Sequence, residues 1–313
     1  MSTAACPRPL ASPRPLGPLL RLLRPHQWTK NGICLAGVIF SDRFTEPWAW
    51  ATATATLLIF CLASSAAYVL NDIVDRDRDR THSKKRLRPI ASGALSVGLA
   101  AACGLLLGAA AALGAAFQGW QAVVCVLAFL ANNVAYSLWL KHLALWDVLS
   151  ITLGFLLRLA AGVYVLGELP TTWIVLCSFF LAAFLGFSKR RAELGTVPAH
   201  ERCRRRPVLL KYSPERLDRL IRGAAWMAVV CYALFATASG KTPLLAATLP
   251  VVYYAIMHYQ QQVLTCRVGE EPESMLWTDR RIAACVVVWL VMYLGICQAV
   301  AAMPGVDGTP RSG

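Results

Sequence analysis

Along the chain, apolar stretches of membrane-spanning length alternate with short polar connectors. Nine such stretches stand out, at about 32–47, 50–71, 95–117, 120–140, 144–167, 171–188, 221–239, 243–262 and 283–303. Each reads as a helix, and the first is the weakest. A bilayer requires every span to satisfy its own backbone hydrogen bonds, which excludes an open sheet. The expected fold is therefore all-α, a polytopic membrane protein of about nine transmembrane helices. Residues 1–18 are rich in Pro and Arg and lack an apolar signal core, so they read as a flexible cytosolic tail. Residues 19–31 are amphipathic and basic, suited to the membrane interface. The transmembrane domain is expected over 19–304, with a short extracytoplasmic tail over 305–313.

Composition agrees with that pattern. The 313 residues are 57% hydrophobic and 15% charged, more apolar than a soluble chain of this length needs. A net charge of +14 raises the question of nucleic acid, but the positive residues are confined to particular loops. With nine spans, 27 of the 31 Lys and Arg fall on one side; Arg43, Lys241 and Arg311 fall on the other, and Arg158 lies within a span. The positive-inside rule then places the N-terminus in the cytosol and the C-terminus outside, in the cytoplasmic membrane, with no nucleic-acid partner implied. The eleven cysteines are scattered singly, without a C-x-x-C pair, and read as small apolar residues.

The densest chemistry lies in NDIVDRDRDRTHSKKRLRPIASG, residues 71–93. On a helix, Asp72, Asp75 and Asp79 point within about 60° of one another, whereas Asp77 points away. Clustered carboxylates repel unless a cation sits among them, and oxygen-only ligands suit Mg²⁺ that also bridges to substrate phosphates. Lys84, Lys85, Arg86 and Arg88 follow as candidate phosphate ligands. A solvated, salt-bridged loop anchoring a membrane helix is the plainer alternative.

A second charged stretch follows the sixth span and opens with Lys189, Arg190 and Glu193; Arg202, Arg204, Arg205, Arg206 and Lys211 lie further on. It is almost purely cationic, so the two stretches together fit a substrate carrying several phosphates. Inner-leaflet lipid contact explains 202–206 equally well. Gln27, Trp28, Lys30 and Asn31 crowd the membrane surface, Trp28 as an interfacial anchor. Arg158, alone within a span, is expected to face a polar cavity or a partner. Tyr136, Lys141 and Asp147 flank the short connector after the fourth span, where Lys141 and Asp147 can also pair as a structural hinge. The five histidines form no ligand cluster, and no G-x-S-x-G elbow appears.

Asn71-Asp72-x-x-Asp75-x-x-x-Asp79 at the end of a span, in a nine-span chain with charged cytosolic loops, resembles the UbiA superfamily of intramembrane prenyltransferases. The resemblance covers nearly the whole chain from about residue 20. It implies a UbiA-like bundle with cytosolic active-site loops. Members of that superfamily carry a second Asp-rich motif after the sixth span. Here that place reads Lys189-Arg190-Arg191-Ala192-Glu193-Leu194, without an aspartate pair. That departure is similar to one branch, the decaprenyl-phosphate phosphoribosyltransferases. So are RPHQWTKN (24–31), KRLRPIASG (85–93), AYSLWLKHLALWD (135–147), LLRLAAG (156–162) and ESMLWTDR (273–280).

The branch implies transfer of a 5-phosphoribosyl group from phosphoribosyl diphosphate to a polyprenyl phosphate, for cell-envelope arabinose or ribose donors. It implies Asp72, Asp75 and Asp79 as Mg²⁺ ligands, with Asn71 orienting them. Lys30, Gln27, Lys84, Arg86, Arg88, Tyr136, Lys141, Arg158, Lys189, Arg190 and Glu193 are then the substrate-binding candidates. The main rival is a prenyltransferase moving an isoprenyl diphosphate to an aromatic acceptor. A transporter or lipid-binding protein is a third reading; it requires polar residues along several spans, and Arg158 is the chief example.

Overall fold

The computed structural model describes residues 17–81, 85–197, 207–238, 241–266 and 278–302, and among them the regular structure is entirely helical. The chain enters through α1 (Pro18–Leu23), a 3₁₀ segment Pro25–Leu35 and α2 (Ala36–Phe40). Then follow α3 (Pro47–Val74), α4 (Arg76–Arg80), α5 (Val97–Ala116), α6 (Trp120–Leu138) and α7 (Trp146–Tyr164). The remaining helices are α8 (Thr172–Thr196), α9 (Pro214–Ala238), α10 (Leu249–Cys266) and α11 (Arg280–Ala301). Their starts follow ordinary capping chemistry. Pro47 opens α3, and the side chains of Ser96, Thr171 and Asp279 accept amide hydrogens at the starts of α5, α8 and α11.

Seven described helices are long and apolar enough to cross a membrane: α3, α5, α6, α7, α8, α9 and α11. Two of the nine expected spans take another form. The 32–47 stretch lies partly in the 3₁₀ segment and α2, and its last residues turn before α3. Its run of Thr29, Asn31, Gly32, Cys34 and Gly37 is poor in helix formers. At about 2 Å rise per 3₁₀ residue, Pro25–Phe40 still extends roughly 30 Å, about the hydrocarbon thickness. The 243–262 stretch divides into a 3₁₀ segment, Pro243–Thr248, and α10. In α10, Tyr253, Tyr254, His258, Tyr259 and Gln260–Gln262 hold the hydropathy down. The second charged stretch, expected to leave the sixth span as a loop, instead continues α8 for two further turns through Thr196.

Two apolar cores share α7. One joins Phe60 of α3, Ala111 of α5, Phe129 of α6 and Ala161 of α7, with Phe60 and Phe129 edge to face at 5.4 Å. The other joins Val148 of α7, Phe184 of α8, Leu217 and Ile221 of α9 and Tyr259 of α10. By contrast, only 11% of the apolar window of α5 or α11 is buried, against 61% for α3, which places those two helices at the periphery. The segment before α3 is held to α7 by backbone contact. A Cβ on Gly162 would lie 2.1 Å from the carbonyl oxygen of Cys34, and one on Gly37 equally close to that of Gly162. Cys34, Cys61, Cys103, Cys125, Cys177, Cys231, Cys285 and Cys297 are free thiols.

Candidate active site

The site forms where α3 ends. The ladder of α3 reaches Asp75, whose amide donates to the Asn71 carbonyl at 2.9 Å. Asp75 itself sits at φ −90°, ψ 3°, outside helical geometry, and α4 resumes at Arg76. This break carries Asp79 back toward Asp72. Arg88 Nη1 donates to Asp72 Oδ1 at 2.9 Å and to Asp79 Oδ2 at 2.5 Å, so the two oxygens are no farther apart than those distances together. Both aspartates are 2% exposed, whereas Asp77 points into solvent beside Arg80. Burial pushes the Asp79 carboxyl above the usual carboxylate range, and the charges of Arg88 and Lys85 pull it back down.

Asp72 Oδ1 accepts a second charged hydrogen bond, from Arg24 Nη2. Arg24 was not among the residues singled out from the sequence. It sits between α1 and the 3₁₀ segment at φ 53°, ψ 58°, a left-handed geometry uncommon outside glycine. The following proline disfavours the right-handed helical region for it. Its guanidinium lies 5.2 Å over the Tyr68 ring. The Arg-Pro step was the available sequence signal: an arginine placed where an amphipathic segment must break.

Asp75 is held by Lys141 Nζ at 2.8 Å, with Arg78 at 3.6 Å. Lys141 therefore pairs across to α3. Asp147, its alternative hinge partner, is buried with Arg190 instead, Arg190 Nε lying 2.6 Å from Asp147 Oδ2. Tyr212 donates to Asp147 Oδ1 at 2.6 Å, and Arg190 Nη1 donates to Glu193 at 2.6 Å. Arg190 is wholly buried, and among the described residues its Nη2 has no hydrogen-bond partner. This knot ties α7 to α8 and to the stretch before α9. Tyr136 is half-buried, Lys189 is half-buried on α8, and Arg86 is exposed. Lys30 Nζ donates to Gln27 Oε1 at 3.4 Å. Trp28, expected as an interfacial anchor, donates its indole N–H to Ser65 of α3 at 3.1 Å. Lys84, Arg202, Arg204, Arg205, Arg206 and residues 273–277 lie outside the described residues.

Arg158 is buried, and among the described residues it forms no ion pair with a carboxylate. Its Nε donates to Asn31 Oδ1 at 2.6 Å, Nη1 to the Gly154 carbonyl at 2.8 Å and Nη2 to Ser64 Oγ at 3.0 Å. The guanidinium lies 4.3 Å from the Phe129 ring centroid, with Phe155 and Phe60 at 5.7 and 6.0 Å. Arg158 thus links α7 to α3 and to the entering segment. Its replacement by leucine is expected to strand Asn31 and Ser64 and to lower stability by about 2–4 kcal/mol. Thermal unfolding in detergent measures this, and an unchanged midpoint would refute the linking role.

Among the described residues, no group of three or more Asp, Glu, His or Cys side chains is placed to hold a metal. Two carboxylates sharing one cation nevertheless fit a hard divalent ion, since Mg²⁺ commonly takes one or two carboxylates together with substrate phosphates.

The model of the UbiA prenyltransferase family matches residues 32–278. A decaprenyl-phosphate phosphoribosyltransferase from Corynebacterium glutamicum is 30% identical over 303 residues, covering 91% of this chain and 87% of that protein. The protein of the same name from Mycolicibacterium smegmatis is 29% identical, with 87% and 90% covered. A UbiA homologue from Archaeoglobus fulgidus, solved with GPP and Mg²⁺, superposes with a TM-score of 0.71 at 20% identity, over 90% of this chain and 99% of that one. That likeness establishes the fold.

Proposed function

The chain belongs to the UbiA prenyltransferase family, and on that premise we propose that it moves a 5-phosphoribosyl group from phosphoribosyl diphosphate to a polyprenyl phosphate. The product is polyprenylphosphoryl-5-phosphoribose, a precursor of the lipid-linked arabinose or ribose used in cell envelopes. The protein works as a multi-pass enzyme of the cytoplasmic membrane. Its N-terminus and the Asp72 site face the cytosol, as the charge asymmetry of its loops requires.

Asp72 and Asp79 would hold Mg²⁺, while Asp75, expected from the sequence as a third ligand, is engaged by Lys141. When bound, the ion neutralises charge growing on the departing diphosphate. Arg24, Arg88 and Lys141 already converge on these carboxylates and lie within reach of a diphosphate seated there. As the bond from C1 to the diphosphate oxygen breaks, an oxygen of the lipid phosphate captures C1. That phosphate is ionised near neutral pH, so the chain needs no general base. Lys30, Gln27, Lys189 and Arg86 carry charge or amide groups toward the remaining phosphates. Asn71 supports the aspartates through its place in the last turn of α3.

The observation that carries this reading over isoprenyl transfer lies at the end of α8. The second acidic motif is replaced by Lys189-Arg190-Arg191-Ala192-Glu193-Leu194. Its central arginine is locked between Asp147 and Glu193. A second metal-binding carboxylate pair, which two metal ions on an isoprenyl diphosphate would use, is missing from that segment. The relatives named as phosphoribosyltransferases align over nearly the same length.

Purified protein in detergent, given Mg²⁺, polyprenyl phosphate and radiolabelled phosphoribosyl diphosphate, is expected to yield labelled lipid. Failure there, with turnover of an isoprenyl diphosphate on an aromatic acceptor, would replace this reading by the ordinary prenyltransferase one.

A further inference from the structure

Two buried carboxylates, Asp72 and Asp79, face two guanidiniums, Arg24 and Arg88. Within this quartet the charges balance, two against two, and Lys85 adds positive charge at Asp79. Arg88 stands between the carboxylates, in the position from which a divalent ion would bridge them. Arg24 caps the same Asp72 oxygen and is held by the Tyr68 ring and by a backbone fixed before Pro25. Neither arginine can be ignored by an incoming cation.

A bare divalent ion entering here would add two positive charges to a balanced, buried cluster, and like charges in such surroundings repel strongly. It would also have to break the charge-assisted hydrogen bonds by which Arg24 and Arg88 hold these carboxylates. An ion arriving with a diphosphate differs on both counts. The complex is anionic, and its phosphate oxygens give each released guanidinium a new acceptor.

From this balance we infer that Arg24 and Arg88 form a cationic latch, which admits the divalent ion as its diphosphate complex and keeps the free ion out. The inference rests on the proposed placing of a metal at Asp72 and Asp79. It makes both arginines part of the selection between free ion and complex.

Equilibrium dialysis of Mn²⁺ against the full chain in detergent tests it without any turnover. Wild-type protein is expected to retain Mn²⁺ when inorganic pyrophosphate is present and to retain it at least about tenfold more weakly without it. Arg88→Gln removes one positive charge and the obstructing group, and is expected to bind Mn²⁺ alone about tenfold more tightly than wild type. Arg24→Gln makes the same test from a second position, and thermal unfolding identifies any variant that has failed to fold.

Equal retention by wild type with and without pyrophosphate, or no gain in folded Arg88→Gln and Arg24→Gln, would overturn the latch and leave the metal site standing. Folded wild type that retains no Mn²⁺ in either condition would remove the metal site itself, and the latch with it.

Discussion

Replacing Asp72 with asparagine is expected to lower phosphoribosyl transfer by about three orders of magnitude, measured as labelled lipid formed per minute. The substitution keeps the side chain's shape but removes the charge that holds a cation beside Asp79. Asp72 is buried, so solvent has little access to screen or replace its charge. Its oxygen also holds Arg24 and Arg88, which in the variant would face a neutral amide with their positive charge uncompensated. Asp77→Asn is the matched control. That side chain is 89% exposed and pairs with Arg80, so transfer is expected to stay within about twofold of wild type. Equal loss in both variants would mean that the acidic run acts through its net charge and no defined site exists.

The second large effect concerns the backbone. Gly162→Ala places a methyl group 2.1 Å from the Cys34 carbonyl oxygen, and the obstruction is backbone that no rotamer can clear. Either α7 or the Pro25–Phe40 path must shift. That path carries Asn31, which holds Arg158, and it follows directly on Arg24. A loss of about 3 kcal/mol is expected. It would appear as a fall of roughly 10 °C in the unfolding midpoint in detergent. Gly223→Ala, in α9, meets open space and is expected to leave the midpoint unchanged or to raise it slightly. If Gly162→Ala unfolds at the wild-type temperature, the two segments are not pressed together as the geometry has it.

The pattern of apolar runs was enough to declare an all-helical membrane bundle, because length and hydropathy are local properties that a bilayer reads directly. It overstated regularity where the composition was marginal. The 32–47 run became 3₁₀ and short α, and 243–262 split at the start of α10. Helix ends were also set too early. Lys189–Glu193 continues α8 because nothing in Ser188-Lys189-Arg190-Arg191-Ala192-Glu193 breaks a helix, although the apolar count ends there.

The position of the acidic run at the end of the second apolar run, and its spacing, were plain in the sequence. Its partners were not. Arg24 lies 48 residues from Asp72 and Lys141 lies 66 from Asp75, so no local periodicity connects them. Charge alone could not assign Arg190 to Asp147 ahead of a substrate phosphate; that needed the crossing of α7 and α8 and the closure of Tyr212 over both. Nor could it show that Arg158 meets Asn31 and Ser64.

What the sequence by itself determined is thus the class of fold and the neighbourhood of the acidic cluster, each written in short-range pattern. The tertiary structure alone decided which cation faces which carboxylate. An ion pair across a helix bundle depends on where two backbones approach, and that approach is set by contacts such as Gly37 against Gly162, far along the chain from the charges they align.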